Sequence, residues 1–212
     1  MTKPLINTIY HTALKSAYET FDDVKSIKRF EAKGCVGLVN DISDGLPKEF
    51  DKCGVMFSDS PWPRGLAKFN ERAGVVRNKK KKQLAYSYFS DGLRRIVEAI
   101  DTPIYITLGK GLLSKLPKAA GQAAVKLNGE VMILAWWNTE YSGPLKGSTT
   151  DTVNSLEVAR YLGSQYSVMG DPMCGYGGLC LEFIAGGGKS FVAADYNGKC
   201  LSVLKARLSF GD

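Results

Sequence analysis

Short apolar runs recur along this chain with longer stretches of helical periodicity between them, and that alternation narrows the possible folds more than any other feature. The runs are CVGLVND (35–41), CGVMFSD (53–59), PIYITLG (103–109), EVMILAWW (130–137), YSVMGD (166–171) and SFVAAD (190–195). They are nearly continuous in apolar character, the pattern of strands covered on both faces. Residues 83–100, 111–125, 152–163, 177–186 and 197–207 read as the intervening helices. Such an order predicts an α/β fold, a mostly parallel central sheet with helices on both faces. Apolar positions at helical spacing, from Leu5 through Ile9, Leu14 and Phe21 to Phe30, predict one or two helices over 5–31. Residues 1–34 therefore read as an N-terminal helical extension and 35–212 as the main domain.

A chain of 212 residues supports one well-buried core. With 44% hydrophobic and 23% charged residues and no apolar run long enough to span a bilayer, it reads as an ordinary soluble domain with no membrane partner. The opening MTKPLINTIYHTALK lacks an apolar core followed by a small-residue cleavage site, which predicts a cytoplasmic protein. Five cysteines form no C-x-x-C pair and the only histidine is His11, so no zinc spacing is present and a histidine-based triad is disfavoured. We expect free, mostly buried thiols and no metal.

Four of the strands end in an acid: Asp41, Asp59, Asp171 and Asp195. In parallel sheets ligands bind outside the carboxyl ends of the strands, so one edge could collect all four. The stretch VMGDPMCGYGGLCLEFIAGGGKSFVAADYN (168–197) is the most informative. A strand ends in Asp171, glycines at 175, 177 and 178 form a tight turn into a helix, and the next strand ends in Asp195. Glycines there let backbone amides approach a ligand, and the second acid can accept bonds from a ribose diol. A glycine-rich turn of this kind also occurs for packing alone. An acid ahead of the turn repels a diphosphate and suits a cationic ligand, which points to S-adenosylmethionine. GGGKS (186–190) is no phosphate loop, because it leads into a strand and its first glycine position holds Phe183.

MFSDSPWPRG (56–65) reads as a buried strand that stops at Asp59 and is followed by a kinked Ser-Pro-Trp. By itself this is equally a strand-ending turn with Trp62 as a packing residue. The net charge is +7, concentrated in RAGVVRNKKKKQ (72–83), which suits a polyanionic partner and equally a solvated loop.

MGDPMCGYGG and AADYNGKC resemble the cofactor motifs of the DNA amino-methyltransferases, roughly D-P-F-x-G-S-G and I-E-x-N-P-x-Y-C, and SDSPWP resembles their catalytic D-P-P-Y/W. The catalytic motif comes first, which is the order of the circularly permuted beta class. VGLVNDISDGLPKEFDKCGVMFSDSPWP resembles that class's opening G-D segment leading into the catalytic strand, and the likeness runs from about residue 35 to the end. The resemblance implies a Rossmann-like methyltransferase fold, with 35–212 as the catalytic domain and S-adenosylmethionine as cofactor. Asp171, Pro172, Met173, Cys174, Gly175 and Gly177 would cradle its methionine part. Asp195, with Tyr196 and Asn197, would bind the ribose, and Asp41 the adenine edge. Ser148 and Thr150 fall where the family carries a cofactor-proximal motif.

The same likeness implies that Asp59 and the Ser60 carbonyl accept the hydrogens of an exocyclic amino group. Pro61 would stiffen the turn and Trp62 would stack on a base flipped out of double-stranded DNA. Arg64, Arg72, Arg77, Lys79, Lys80, Lys81 and Lys82 would then meet phosphates. An acid at the first motif position resembles adenine-N6 more than cytosine-N4 enzymes. Space for a target-recognition domain is short, which implies a compact, phage-type enzyme of short or relaxed specificity, acting as a monomer or a homodimer. RNA or protein-amide methylation stays open, since sites resembling D/N-P-P-Y/W serve there too, and Ser60, standing where the family has proline, leaves open a nucleic-acid-binding protein of weakened turnover.

Overall fold

The computed structural model describes residues 24–60, 79–127, 130–144 and 153–209. Among the described residues, nine strands form one sheet: β1 (Arg29–Ala32), β2 (Cys35–Val39), β3 (Val55–Asp59), β4 (Ile104–Leu108), β5 (Gly121–Leu127), β6 (Glu130–Trp137), β7 (Val153–Asn154), β8 (Val168–Asp171) and β9 (Ser190–Asp195). Their order across the sheet is β1-β2-β9-β8-β3-β4-β6-β5-β7. The block β2-β9-β8-β3-β4 is parallel throughout, and antiparallel pairs flank it at β1–β2, β4–β6 and β6–β5.

The strand sequences are apolar at successive positions because both faces are covered. On β3, Val55 and Phe57 enter one core and Met56 the other; on β9, Phe191 and Ala193 are separated in the same way from Val192 and Ala194. The first face is covered by α3 (Ser155–Gln165), α4 (Gly178–Ala185) and α5 (Gly198–Ser209), through Val158, Leu162, Phe183, Leu201 and Leu204. The second is covered by α1 (Lys79–Ala99), through Phe89, Leu93, Ile96 and Val97, with Leu112 of the short α2 (Lys110–Leu113). Two 3-10 turns between β2 and β3 add Ile42 and Phe50 to that face. The start of α3 is set by a capping box: Asn154 accepts from the Leu156 amide at 3.0 Å, and Glu157 reaches back to the Asn154 amide at 3.4 Å.

Two expectations are corrected. Residues 29–32 are strand, not helix, and pair antiparallel with β2, so the boundary placed after residue 34 falls inside a hairpin. Lys33 and Gly34, at φ 50° and 75°, make its two-residue turn, and the Phe30 ring lies over Gly37, where a Cβ would come within 2.0 Å of it. The helix expected over 111–125 stops at Leu113, before Pro117, and Gly121–Leu127 is β5, paired with β6 from Gly121↔Trp136 to Leu127↔Glu130. Cross-strand pairing there overrides the helical preference of its alanines. Trp136 and Trp137 pack on opposite faces, as alternation requires, Trp137 buried and Trp136 partly buried. They oppose Tyr105 and Ile104, at the amino end of β4, away from the acids. Residues 1–23 lie outside the described residues. Among the described residues, no helix is long and apolar enough to cross a membrane.

Candidate active site

The carboxyl ends of the parallel strands form one rim. Asp195, Asp171 and Asp59 close β9, β8 and β3, which are neighbours in that order, and Asp41 follows β2 on the far side of β9. After β8 the chain returns on one side to β9, and after β3 on the other side to β4, so the connections diverge between β8 and β3. Such a divergence opens a crevice in an α/β sheet, and Asp171 and Asp59 flank it.

The turn after β8 is pinned by the two neighbouring carboxylates. Asp171 Oδ1 accepts from the Met173 amide at 3.2 Å and from Ser58 Oγ at 2.5 Å, which ties the turn to β3. Asp195 accepts from the Gly175 amide at 3.0 Å and from the Asn197 amide at 2.8 Å. Cys174 N donates to Ala194 O at 2.9 Å, and Arg207 donates to Tyr176 O at 2.7 Å. Gly175 and Gly177 adopt φ of 50° and 76°. A Cβ at Gly177 would lie 2.1 Å from Leu204, whereas one at Gly175 would meet nothing within 4 Å. Leu204 therefore backs the turn at Gly177, and space is open at Gly175.

Among the described residues, the acids are short of compensating charge. Asp171 and Asp195 are buried, and no ion pair among the described residues involves Asp59, Asp171 or Asp195. Burial pushes the Asp171 carboxyl up to about 7 against the Ser58 and Met173 hydrogen bonds, with Asp59 and Asp195 adding repulsion. Burial raises Asp195 to about 6 against the two amides it accepts from. Asp59 is partly exposed as a residue, yet its Oδ1 is sealed from solvent without a hydrogen-bond partner, and desolvation raises its carboxyl to about 6. Thr107, its register partner on β4, is near enough to oppose that rise, but the Thr107 hydroxyl completes no hydrogen bond. Ser60 is buried, its amide donating to Thr107 O at 2.9 Å and its hydroxyl unpartnered.

The remaining expected residues divide clearly. Pro172 and Cys174 are buried within the turn, and Met173 packs on the second core. Tyr196 is half-buried, with its hydroxyl pushed up by burial, and Asn197 caps α5 by accepting from the Lys199 amide at 3.0 Å. Asp41 is exposed and caps the first 3-10 turn, accepting from Ser43 N at 2.9 Å and Ser43 Oγ at 2.8 Å. Pro61, Trp62, Arg64, Arg72, Arg77, Ser148 and Thr150 lie outside the described residues. Lys79, Lys80, Lys81 and Lys82 open α1, and their side chains are likewise undescribed. All five cysteines are free and buried. Among the described residues, no cluster of three or more His, Cys, Asp or Glu could hold a metal ion.

Two rim residues escaped sequence reasoning. Ser58 bridges to Asp171, and Thr107 sits beside Asp59. Their signal, a hydroxyl inside an otherwise apolar strand, is weak until the partner strands are known.

No family model matches the chain, and no curated protein matches it in sequence. Solved structures similar to it include M1.HpyAVI, at 13% identity and a TM-score of 0.49, covering 82% of this chain and 98% of that one. The M1.HpyAVI–SAM complex gives 13% and 0.48 over the same shares. TTHA0409, a candidate DNA modification methylase from Thermus thermophilus, gives 13% and 0.49, covering 81% of this chain and 92% of that one. Likeness at this level assigns no chemistry to the chain.

Proposed function

We propose that this protein is an S-adenosylmethionine-dependent DNA methyltransferase that modifies an exocyclic amino group, adenine N6, on a base flipped out of the duplex. The observation that supports it most is the meeting on one rim of two features far apart in sequence: the glycine turn held between Asp171 and Asp195, and the end of β3 with Asp59 and Ser60. Ser58 joins them directly through Asp171.

The residues present fit the cofactor. Buried carboxylates that form no ion pair among the described residues suit a ligand carrying positive charge, and the space over Gly175 admits close approach to the backbone. Asp171 and residues 172–177 would hold the amino-acid end. Asp195 would meet the ribose, since a carboxylate already accepting two amides keeps lone pairs for hydroxyls. When bound, S-adenosylmethionine supplies a methyl group on a cationic sulfur. Asp59 accepts one amino hydrogen and the Ser60 carbonyl the other. This draws the nitrogen lone pair out of conjugation and aligns it for in-line attack. A carboxyl raised to about 6 is ionised near neutral pH and still basic enough to take the proton the nitrogen releases.

The permuted beta-class motif order, short or relaxed specificity, a cytoplasmic location, a monomeric or homodimeric enzyme, stacking by Trp62 and phosphate contact by Arg64, Arg72, Arg77 and Lys79–Lys82 belong to the same reading. Transfer of labelled methyl from S-adenosylmethionine to unmethylated DNA or RNA, followed by nucleoside analysis, tests it. N6-methyladenine in DNA is expected. Label in RNA, in cytosine or in protein would replace the substrate assignment, and no transfer to any acceptor would sink the enzymatic one.

A further inference from the structure

We propose that Thr107 contacts the substrate, its hydroxyl donating to the ring nitrogen beside the amino group that Asp59 grips. This rests on the methyltransferase reading for the identity of the base. Thr107 is completely buried in β4, among Ile104, Tyr105, Ile106 and Leu108, and its Oγ1 has no hydrogen-bond partner. Valine has nearly the same shape, suits a strand equally and leaves no orphaned hydroxyl there, whereas an unpaired buried hydroxyl costs about 1–3 kcal/mol. In the free structure the hydroxyl lies near Asp59 but completes no hydrogen bond.

Its position says what would use it. Asp59 and Thr107 are register partners on adjacent parallel strands. Alternation along β3 and β4 puts both on the face of Phe57 and Tyr105, at the carboxyl rim. Asp59 Oδ1 is likewise buried and unpartnered. A spare acceptor therefore stands beside a spare donor. The complementary ligand edge is a donor beside an acceptor, which an amino group next to an unprotonated ring nitrogen provides, as in adenine. Of the other orphaned hydroxyls among the described residues, Tyr141 is in an aromatic cluster with Tyr105, Trp136 and Tyr161, Ser155 opens α3, and Ser60 follows β3 on the same rim, its amide donating to Thr107 O.

The test compares binding of duplexes carrying adenine or 1-deazaadenine opposite abasic sites, read by fluorescence anisotropy with S-adenosylhomocysteine present. Wild type is expected to prefer adenine about tenfold, the loss of one good hydrogen bond. Thr107→Val should bind both duplexes alike, and Thr107→Ser should restore the preference. Equal binding by wild type, or a tenfold preference that survives in Thr107→Val, overturns the contact. If Thr107→Val does not fold, the wild-type comparison and Thr107→Ala decide. Methyl transfer is scored separately. A preference without transfer sinks the enzyme and keeps the contact, while transfer without preference does the reverse.

Discussion

Asp59 ends a strand whose preceding residues are all buried, and its Oδ1 is sealed without a partner. Asp59→Asn keeps the shape and removes the charge. It is expected to reduce methyl transfer by at least about 100-fold, the scale of a lost acid–base group, while calorimetry shows S-adenosylmethionine binding intact. In the wild type the group must be ionised, so kcat/KM should fall as pH drops through about 6. An acidic limb near 4 would show that burial does not tune this carboxyl. Asp171 and Asp195 affect stability in the opposite direction. Their folded-state values, about 7 and about 6, lie above the ordinary 3.8, so the folded chain holds protons that the unfolded chain has released. Stability from these acids is full below about 4 and is lost as pH rises through 6 to 7. Thermal melts from pH 5 to pH 8 should show a falling Tm, and a cationic ligand should recover more of it at pH 8 than at pH 5. At this scale Asp59, Asp171 and Asp195 were legible as strand-ending carboxylates, whereas Asp41 lies two residues past the end of β2. Thr107 was not legible, because its meaning depends on facing Asp59 across a strand pair.

The glycine turn and the helix after it are one device, and both were legible from sequence. D-P-x-x-G-x-G reads as a tight glycine turn, and the apolar run behind it predicts a packed helix. Only the packing shows why Gly177 tolerates no side chain: its φ is 76° and Leu204 of α5 fills the space. Gly177→Ala is expected to cost about 1–3 kcal/mol in urea unfolding, the range for overpacking, and to weaken cofactor binding with it. A cofactor affinity unchanged in that variant would separate the turn from the ligand site. The two misread elements, β1 and β5, lie outside the parallel block. Both are strands defined by a hairpin partner, β1 by β2 and β5 by β6, and neither carries the continuous apolar run that marks a doubly covered strand. Exposed Gln122 and Ala124 show that β5 is covered less than the central strands.

For the molecule as a whole, the net charge of +7 bears on association with a polyanion and not on the fold. Changing Lys79, Lys80, Lys81 and Lys82 to Gln should weaken binding to unrelated DNA sequences alike. It should also reduce the slope of log affinity against log salt by about 1 for each phosphate no longer neutralised. A binding curve unaffected by these substitutions would assign the lysines to solvent. What the sequence determined alone was the alternation of buried runs and helices, the tight glycine turn and the acids that close β3, β8 and β9, because these follow from local periodicity and backbone sterics. The tertiary structure decided which ends became neighbours. β3 and β8, more than a hundred residues apart, pair side by side, so Ser58 reaches Asp171 and Thr107 faces Asp59. Strand order follows from the packing of helices on both faces of the sheet, a property of the whole chain that no local window contains.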